Sequence, residues 1–424
     1  LYHKLFLNGR DSQKSRKDDE LIKRADREII VVMKDIHERI LREPLISRVL
    51  GTGMRVYLVG GYLRDVLRGA RSKDIDFVVK GDPESILKKI APDQGGSVVK
   101  FSKAPLVRVV TGEYTLDFTE LKGTIEEDLS KRDFTVNALA WSEEEGIIDP
   151  FHGFSDIRGK KIRAVTEDNF LDDPLRLVRA YRFSGELGWE IEAGTRKSIR
   201  KLKGLIRQPA TERITLEIFR LLNSTDTDSC LNALKMAERD GILGEIIYMK
   251  NNKLLTNIKA ISRFNAFLNK VPQEYRVFLD KPFSQGLSYR GLLKAELLLS
   301  GSSLERSRLS LSRPICKRLR ITSGLLKELD ENKKMNNRRV FDLFARAGGA
   351  IGDFAFLTMR RDLLMRAEKF MAIKPVLTAE RIMEITRLGP GPELGNVLAE
   401  LKRLLFLGEI KNETDAVAWL AGRF

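Results

Sequence analysis

Cysteine and histidine are nearly missing from this chain. Two cysteines, Cys230 and Cys316, and three histidines, His3, His37 and His152, are scattered over 424 residues. Neither a disulfide scaffold nor a zinc site can be built from them. So little cysteine points to a reducing, cytoplasmic compartment. No apolar run approaches the ~20 residues of a membrane span. Leu1 to Arg10 has too short an apolar stretch for a signal peptide, and Leu in place of Met at position 1 reads as a fragment or a trimmed chain. Acidic charge is also short. Lys and Arg number 75 against 59 Asp and Glu, a net charge of +16. That surplus favours a polyanionic partner: nucleic acid, nucleotide or an anionic surface. Hydrophobic residues make up 42%, which excludes global disorder.

Hydropathy divides the chain into an α+β head and a long all-α remainder. Residues 1–50 are dominated by charge, with Ile29, Ile30, Met33, Ile36, Ile40 and Leu41 at helical spacing, and read as a helical extension. Residues 51–160 form the head. Val56 to Val59 is a short apolar run entering a turn at Gly60-Gly61, Asp74 to Val79 alternates at period two, and Val107–Val110 and Thr115–Phe118 are strands joined at Thr111-Gly112. These runs predict a small mixed sheet flanked by helices. After Asp168 helix formers dominate, with breaks at Gly204, Gly241, Pro272, Pro314 and Gly389–Pro392. We divide this remainder into a neck (161–225), a body (226–330) and a tail (331–424).

The chemistry starts from two carboxylates. Asp74 and Asp76 lie two apart on a predicted strand, so both side chains share one face. Adjacent carboxylates repel unless a cation lies between them, and magnesium favours hard oxygen ligands completed by substrate phosphates. Asp117, on a later strand, can join the cluster. Seventeen residues hold Gly60-Gly61, Arg64-Asp65 and Asp74/Asp76. Glycines let backbone N–H groups approach phosphate oxygens, and the following helix start adds a favourable dipole. The combination reads as a phosphate site beside a metal site.

These residues resemble a known family. Leu58-Val-Gly-Gly-Tyr-Leu-Arg-Asp-Val-Leu-Arg-Gly69 followed by Asp74-Ile-Asp76 is similar to the first motif of the class II tRNA nucleotidyltransferases and bacterial poly(A) polymerases. Lys131-Arg-Asp-Phe-Thr-Val-Asn-Ala138 resembles their second motif, Asp149-Pro-Phe-His-Gly153 the hinge, Asp172-Asp-Pro-Leu-Arg176 with Arg179 and Arg182 the nucleotide-selecting motif, and Glu212-Arg-Ile-Thr-Leu-Glu217 the one after it. The resemblance implies two-metal nucleotidyl transfer to a tRNA 3′ end. Asp74 and Asp76 would hold Mg2+, Asp117 would be metal ligand or proton acceptor, and Gly60, Gly61, Arg64 and Asp65 would form the phosphate site. Arg132 would contact the incoming nucleotide, with Asp133 and Asn137 near its sugar or fixing the loop.

Base choice has a physical rationale. Asp172 to Arg182 is predicted as one helix, which places Asp173 and Arg176 on a shared face. A carboxylate accepts from the cytosine amine while a guanidinium donates to N3 and O2; uracil would leave an unmatched group, costing about 1–3 kcal/mol. Arg179 and Arg182 continue that face towards the triphosphate. Asp172 stands where the family pattern carries Glu.

Gly95-Gly-Ser-Val-Val-Lys-Phe101 lacks the basic signature of poly(A) polymerases, and Asp117 to Arg132 lacks the long Arg-Arg-Glu-bearing loop of full CCA-adding members. The resemblance therefore favours an enzyme that adds two cytidines from CTP and leaves adenosine, from ATP, to a separate A-adding enzyme. A full CCA-adding enzyme, a poly(A) polymerase and a non-catalytic RNA-binding relative are the alternatives. Arg306, Arg308, Arg313, Lys317, Arg318 and Arg320 form a run without an acidic residue and are expected to contact the tRNA backbone by charge and shape.

Overall fold

The computed structural model describes residues 34–90, 97–100, 106–250, 253–329 and 335–424. Two compact units meet at Pro209/Ala210, inside the stretch taken from sequence as the neck. Of the expected N-terminal stripe, Ile29, Ile30 and Met33 lie outside the described residues. Ile36 and Ile40 are buried on a helical stretch spanning 34–41.

In the first unit, seven strands form one sheet in the order β3-β4-β5-β2-β1-β6-β7. They are β1 Val56–Val59, β2 Asp74–Val79, β3 Ser97–Lys100, β4 Leu106–Val110, β5 Thr115–Glu120, β6 Ala140–Ser142 and β7 Gly146–Ile148. Only β2 and β5 run parallel; the other neighbours are antiparallel. The four strands expected from sequence are all present, whereas β3, β6 and β7 are additions. β6 and β7 are three residues each, too short for a period-two pattern to register.

Side chains alternate across this sheet. On one face Phe77 stacks on Phe118 with centroids 5.1 Å apart. On the other, Tyr57, Val59 and Val78 pack against Ile125 and Leu129 of helix α2 (Ile125–Ser130). Asp76 alternates with Phe77 and so lies on the same face as Val78, where α2 does not cover it. Helix α1 (Gly61–Leu67) follows β1 directly. Its N-cap Gly60 has φ 74°, a conformation that disfavours any side chain.

Four residues, 121–124, connect β5 to α2. Thr124 and Glu127 close a capping box: the Thr124 hydroxyl accepts from the Glu127 N–H at 3.2 Å, and Glu127 Oε2 accepts from the Thr124 N–H at 3.1 Å. The helix start is thereby fixed locally. Helix α3 (Gly153–Arg158) begins under Asp149, whose two oxygens accept from the N–H groups of Gly153 and Phe154. A Cβ at Gly153 would lie 2.1 Å from the Thr135 carbonyl oxygen, so only glycine permits this approach.

The second unit is helical apart from a small hairpin, Pro282–Ser284 with Leu287–Ser288. Helices Thr211–Asn223, Leu254–Leu268 and Arg313–Lys327 each pack on the apolar helix Tyr289–Leu299. Pro314 falls in the first turn of Arg313–Lys327, where its missing N–H costs nothing, so it opens a helix instead of breaking one. A separate core of Leu377, Ile382, Leu394, Val397, Leu401, Leu404 and Leu420 holds the last helices together. No described helix is long and apolar enough to cross a membrane.

Candidate active site

The register of β2, β5 and β4 builds a row of charge across the sheet. Asp76 pairs with Asp117 in the parallel ladder, and Asp117 pairs with Arg108 in the antiparallel one. Asp74, two residues from Asp76, lies on the same face. The three carboxylates expected from sequence are therefore gathered at one place, with Arg108 as an unexpected fourth member. Arg108 grips Asp117 in a two-pronged bond, Nε to Oδ1 and Nη2 to Oδ2, both 2.7 Å.

Asp76 is surrounded by opposing influences. Burial pushes its carboxyl above the usual carboxylate range; Arg132 opposes this, Asp117 and Asp74 reinforce it, and Arg108 also opposes. The net excess is negative, so a cation placed here would be stabilised. Gly60 forms the floor: a Cβ on it would lie 2.9 Å from Arg132 Nη1 and 3.2 Å from Asp76 Oδ2. Among the described residues no group of three or more His, Cys, Asp or Glu is placed to hold a metal ion. Asp74, exposed, and Asp76, half-buried, offer two hard oxygen donors on one face of β2, a set that suits magnesium completed by water and phosphate.

Beside this row lies a buried chain of hydrogen bonds. Asp65 accepts from Arg64 Nε and Nη2 at 3.1 Å each, and from Arg68 Nε at 2.8 Å. Arg64 Nη1 donates to Asn137 Oδ1 at 2.7 Å, and Asn137 Nδ2 donates to Asp133 Oδ1 at 2.9 Å. Arg179 closes the chain on Asp133 Oδ2, at 2.9 Å from Nε and 2.7 Å from Nη2. Burial alone would raise the Asp133 carboxyl; Arg179, Asn137 and the Phe134 N–H outweigh it and hold it below the usual range. Arg64, Asp65, Asp133 and Asn137 thus bind each other, and none of the four presents an open charge to a ligand.

Phe183 is the hub that sequence reasoning missed. Its buried ring carries the guanidinium carbons of Arg182, Arg64 and Arg179 at 3.8, 5.3 and 5.5 Å from its centroid, with Phe134 edge-on at 5.7 Å. The negative ring face eases the crowding of three cations. Arg182 also donates to Glu186 at 2.6 Å. An aromatic at helical spacing from Arg179 was the available signal, and it is also the signal of an ordinary core residue.

The single helix expected over Asp172 to Arg182 is instead two: helix α4 (Asp168–Asp172) and helix α5 (Arg176–Leu187). Pro174 causes the break, because the residue before proline is driven out of the α region. Asp173 is extended, at φ −139° and ψ 93°. A turn, and not a helix face, brings Asp173 and Arg176 together: the Arg176 N–H donates to the Asp173 carbonyl at 3.1 Å. The Arg176 guanidinium donates to the Asn169 carbonyl at 2.8 Å and the Lys131 carbonyl at 2.6 Å. Asn169 adds bonds to the Ser130 and Arg132 carbonyls. This clasp fixes the backbone that carries Arg132 and Asp133. Asp172 is exposed.

In the second unit the basic run divides. Arg313, Lys317 and Arg320 are exposed along one face of helix Arg313–Lys327, continued by Lys327, while Ile315, Leu319 and Leu325 are buried. Arg318 turns inward to Asp353 at 3.0 Å, which removes it from the stripe. Arg306 is exposed and lies over the Tyr248 ring at 5.0 Å. Arg308 is half-buried, and its N–H donates to the Ile246 carbonyl at 2.7 Å.

Residues 56–124 and 119–163 match the poly A polymerase head domain, and residues 188–243 match the "probable RNA and SrmB-binding site of polymerase A". A CC-adding tRNA nucleotidyltransferase of Synechocystis is 28% identical over 391 residues, covering 85% of this chain and 92% of that protein. An A-adding tRNA nucleotidyltransferase of Deinococcus radiodurans is also 28% identical, over 86% of this chain and 94% of its own length. The fold is that of the Thermotoga maritima CCA-adding enzyme in complex with tRNA-CCA, with a TM-score of 0.70 at 21% identity over 92% of this chain and 98% of that one.

Proposed function

Because this chain belongs to the class II tRNA nucleotidyltransferase and poly(A) polymerase family, and is a tRNA nucleotidyltransferase, we propose that it adds two cytidines from CTP to the tRNA 3′ end. The observation that carries the two-cytidine reading is the connection from β5 to α2. It is four residues long and ends in a closed capping box, which leaves no room for a flexible switching loop. Adenosine addition then falls to a separate enzyme acting on the product.

Asp74 and Asp76 would hold magnesium. When bound, the metal supplies charge neutralisation at the triphosphate and lowers the pKa of the RNA 3′-hydroxyl. The 3′-oxygen forms a bond to the α-phosphorus of CTP, the α–β bond breaks, and pyrophosphate leaves. Asp117 is the nearby carboxylate for the hydroxyl proton once Arg108 releases it. The Gly60-Gly61 turn lets phosphate approach the backbone, and Arg132, which donates to Asp128 Oδ2 at 3.2 and 3.0 Å and acts electrostatically on Asp76, would turn from Asp128 to the nucleotide. Arg64, Asp133 and Asn137 act as positioning residues behind it. Asp173 and Arg176 read the cytosine edge, which requires Arg176 to exchange a backbone carbonyl for the base. The exposed stripe Arg313, Lys317 and Arg320 follows the tRNA phosphates.

Sizing the products from a tRNA ending at its discriminator base tests this. With CTP, two residues are expected, and no third when ATP is added. A third residue with both nucleotides would make it a full CCA-adding enzyme, and a long ladder with ATP alone a poly(A) polymerase.

A further inference from the structure

The release of Asp117 by Arg108, assumed above, needs a cause. Arg108 stands opposite Asp117 in the β4–β5 ladder, and its fork covers both oxygens of that carboxylate at 2.7 Å. Asp74 and Asp76 also act on it electrostatically. Bidentate guanidinium–carboxylate pairs are the tightest ion pairs available to side chains. While the fork is closed it occupies a lone pair on each Asp117 oxygen and neutralises the charge, so Asp117 is a weaker metal ligand and proton acceptor. The Arg108 side chain is 39% exposed, so a polyphosphate can approach it.

We propose that Arg108 is a latch on Asp117 that the triphosphate opens. In the free enzyme it keeps Asp117 out of the cation site and limits that site to Asp74 and Asp76. On nucleotide binding, phosphate oxygens compete for the same guanidinium, which swings from carboxylate to triphosphate and frees Asp117. Metal binding is thereby made dependent on the nucleotide. The inference rests on the metal role given above to Asp74 and Asp76.

The latch predicts changes of opposite sign from one substitution. Arg108→Gln frees Asp117 and removes a repelling charge, so the protein alone should bind Mn2+ about tenfold more tightly. The same change removes a phosphate contact, so the KM for CTP should rise about tenfold. A merely structural role would weaken both together. Calorimetric titration with Mn2+ and the KM for CTP, on protein shown by circular dichroism to be folded, read the two effects. The number of waters on bound Eu3+, from its luminescence lifetime, should fall in Arg108→Gln as Asp117 joins the ion. Unchanged Mn2+ affinity, or tighter binding with the water count unaltered, overturns the latch. Arg108→Lys, which keeps the charge and loses the fork, should lie between the two, and serves if the glutamine variant does not fold. Mn2+ binding that Asp74→Asn leaves intact would overturn the metal-site reading itself and the latch with it.

Discussion

Two groups of acids stand side by side in the first unit and are treated in opposite ways. Asp133 is buried and surrounded by three donors: Arg179, Asn137 and the Phe134 N–H. Its charge is compensated when the chain folds. Asp76 is half-buried, and two of the charges acting on it are further carboxylates. Its charge is compensated only in part, and the remainder has to come from solution. The contrast distinguishes the two acids where motif membership does not, because both lie in stretches that resemble motifs of one family, and it is the ground for the proposed division into scaffold and reaction site. An acid satisfied by its own protein holds geometry; an acid left short of cations is where a cation and a phosphate are recruited.

The largest effect should come from the undercompensated group. Asp76→Asn and Asp74→Ala are expected to lower cytidine transfer by about a thousandfold or more while tRNA binding and thermal stability stay near wild type. Gel-sized extension and filter binding measure the two. Normal turnover in either variant would remove the distinction between the two acids.

Asp133→Ala should show the complementary pattern. Leaving Arg179 beside an empty site should cost about 3 kcal/mol of stability, read as a fall in the melting temperature of the first unit, with activity lost in step with folding. If it instead melts normally and only its KM for CTP rises, Asp133 touches the nucleotide and the comparison fails.

In the second unit a third kind of acid sharpens the point. Glu296 is buried on helix Tyr289–Leu299, facing Asp353 with Arg318 and Thr322 nearby. Burial, then the Asp353 charge, pushes it up to about 8. A carboxyl raised in the folded state binds its proton more tightly there than in the unfolded chain. Its contribution to stability is therefore full below the unfolded value of 4.5 and is lost as pH rises towards 8. Glu296→Gln should flatten the decline in melting temperature over that window. An unchanged pH profile would mean that Glu296 is ionised in the fold.

The smallest effect per residue belongs to the exposed stripe. Replacing Arg313, Lys317 and Arg320 together by Gln should weaken tRNA binding and reduce the log–log salt slope by about 2–3, roughly one per phosphate contact, with the fold intact. An unaltered slope would return these residues to ordinary surface charge.

Much of this was readable in advance because the signals are local. Period two put Asp74 and Asp76 on one face, Gly60-Gly61 marked the turn, and helix formers after Asp168 foretold a mostly helical remainder, though not its hairpin Pro282–Ser284 with Leu287–Ser288. The break between Asp172 and Arg176 was also within reach, since Pro174 excludes helix at the residue before it. Arg108 could have been found from the hairpin: with Val110 facing Thr115 across a four-residue loop, Arg108 must face Asp117. The roles of Arg64, Arg176 and Arg318 could not. Each carries the same charge in the sequence, and only packing shows that Arg64 meets Asn137, Arg176 clasps two carbonyls and Arg318 turns in to Asp353.

The sequence by itself determined which acids share a strand face, where the glycine turn falls and in what order the elements follow one another, because strand alternation, glycine turns and proline breaks depend on near neighbours. The tertiary structure alone decided which charges are neutralised internally and which are left for a ligand. That outcome depends on contacts between residues such as Arg64 and Asn137, 73 positions apart, and on the cross-strand register that sets Arg108 against Asp117, neither of which the spacing within a motif encodes.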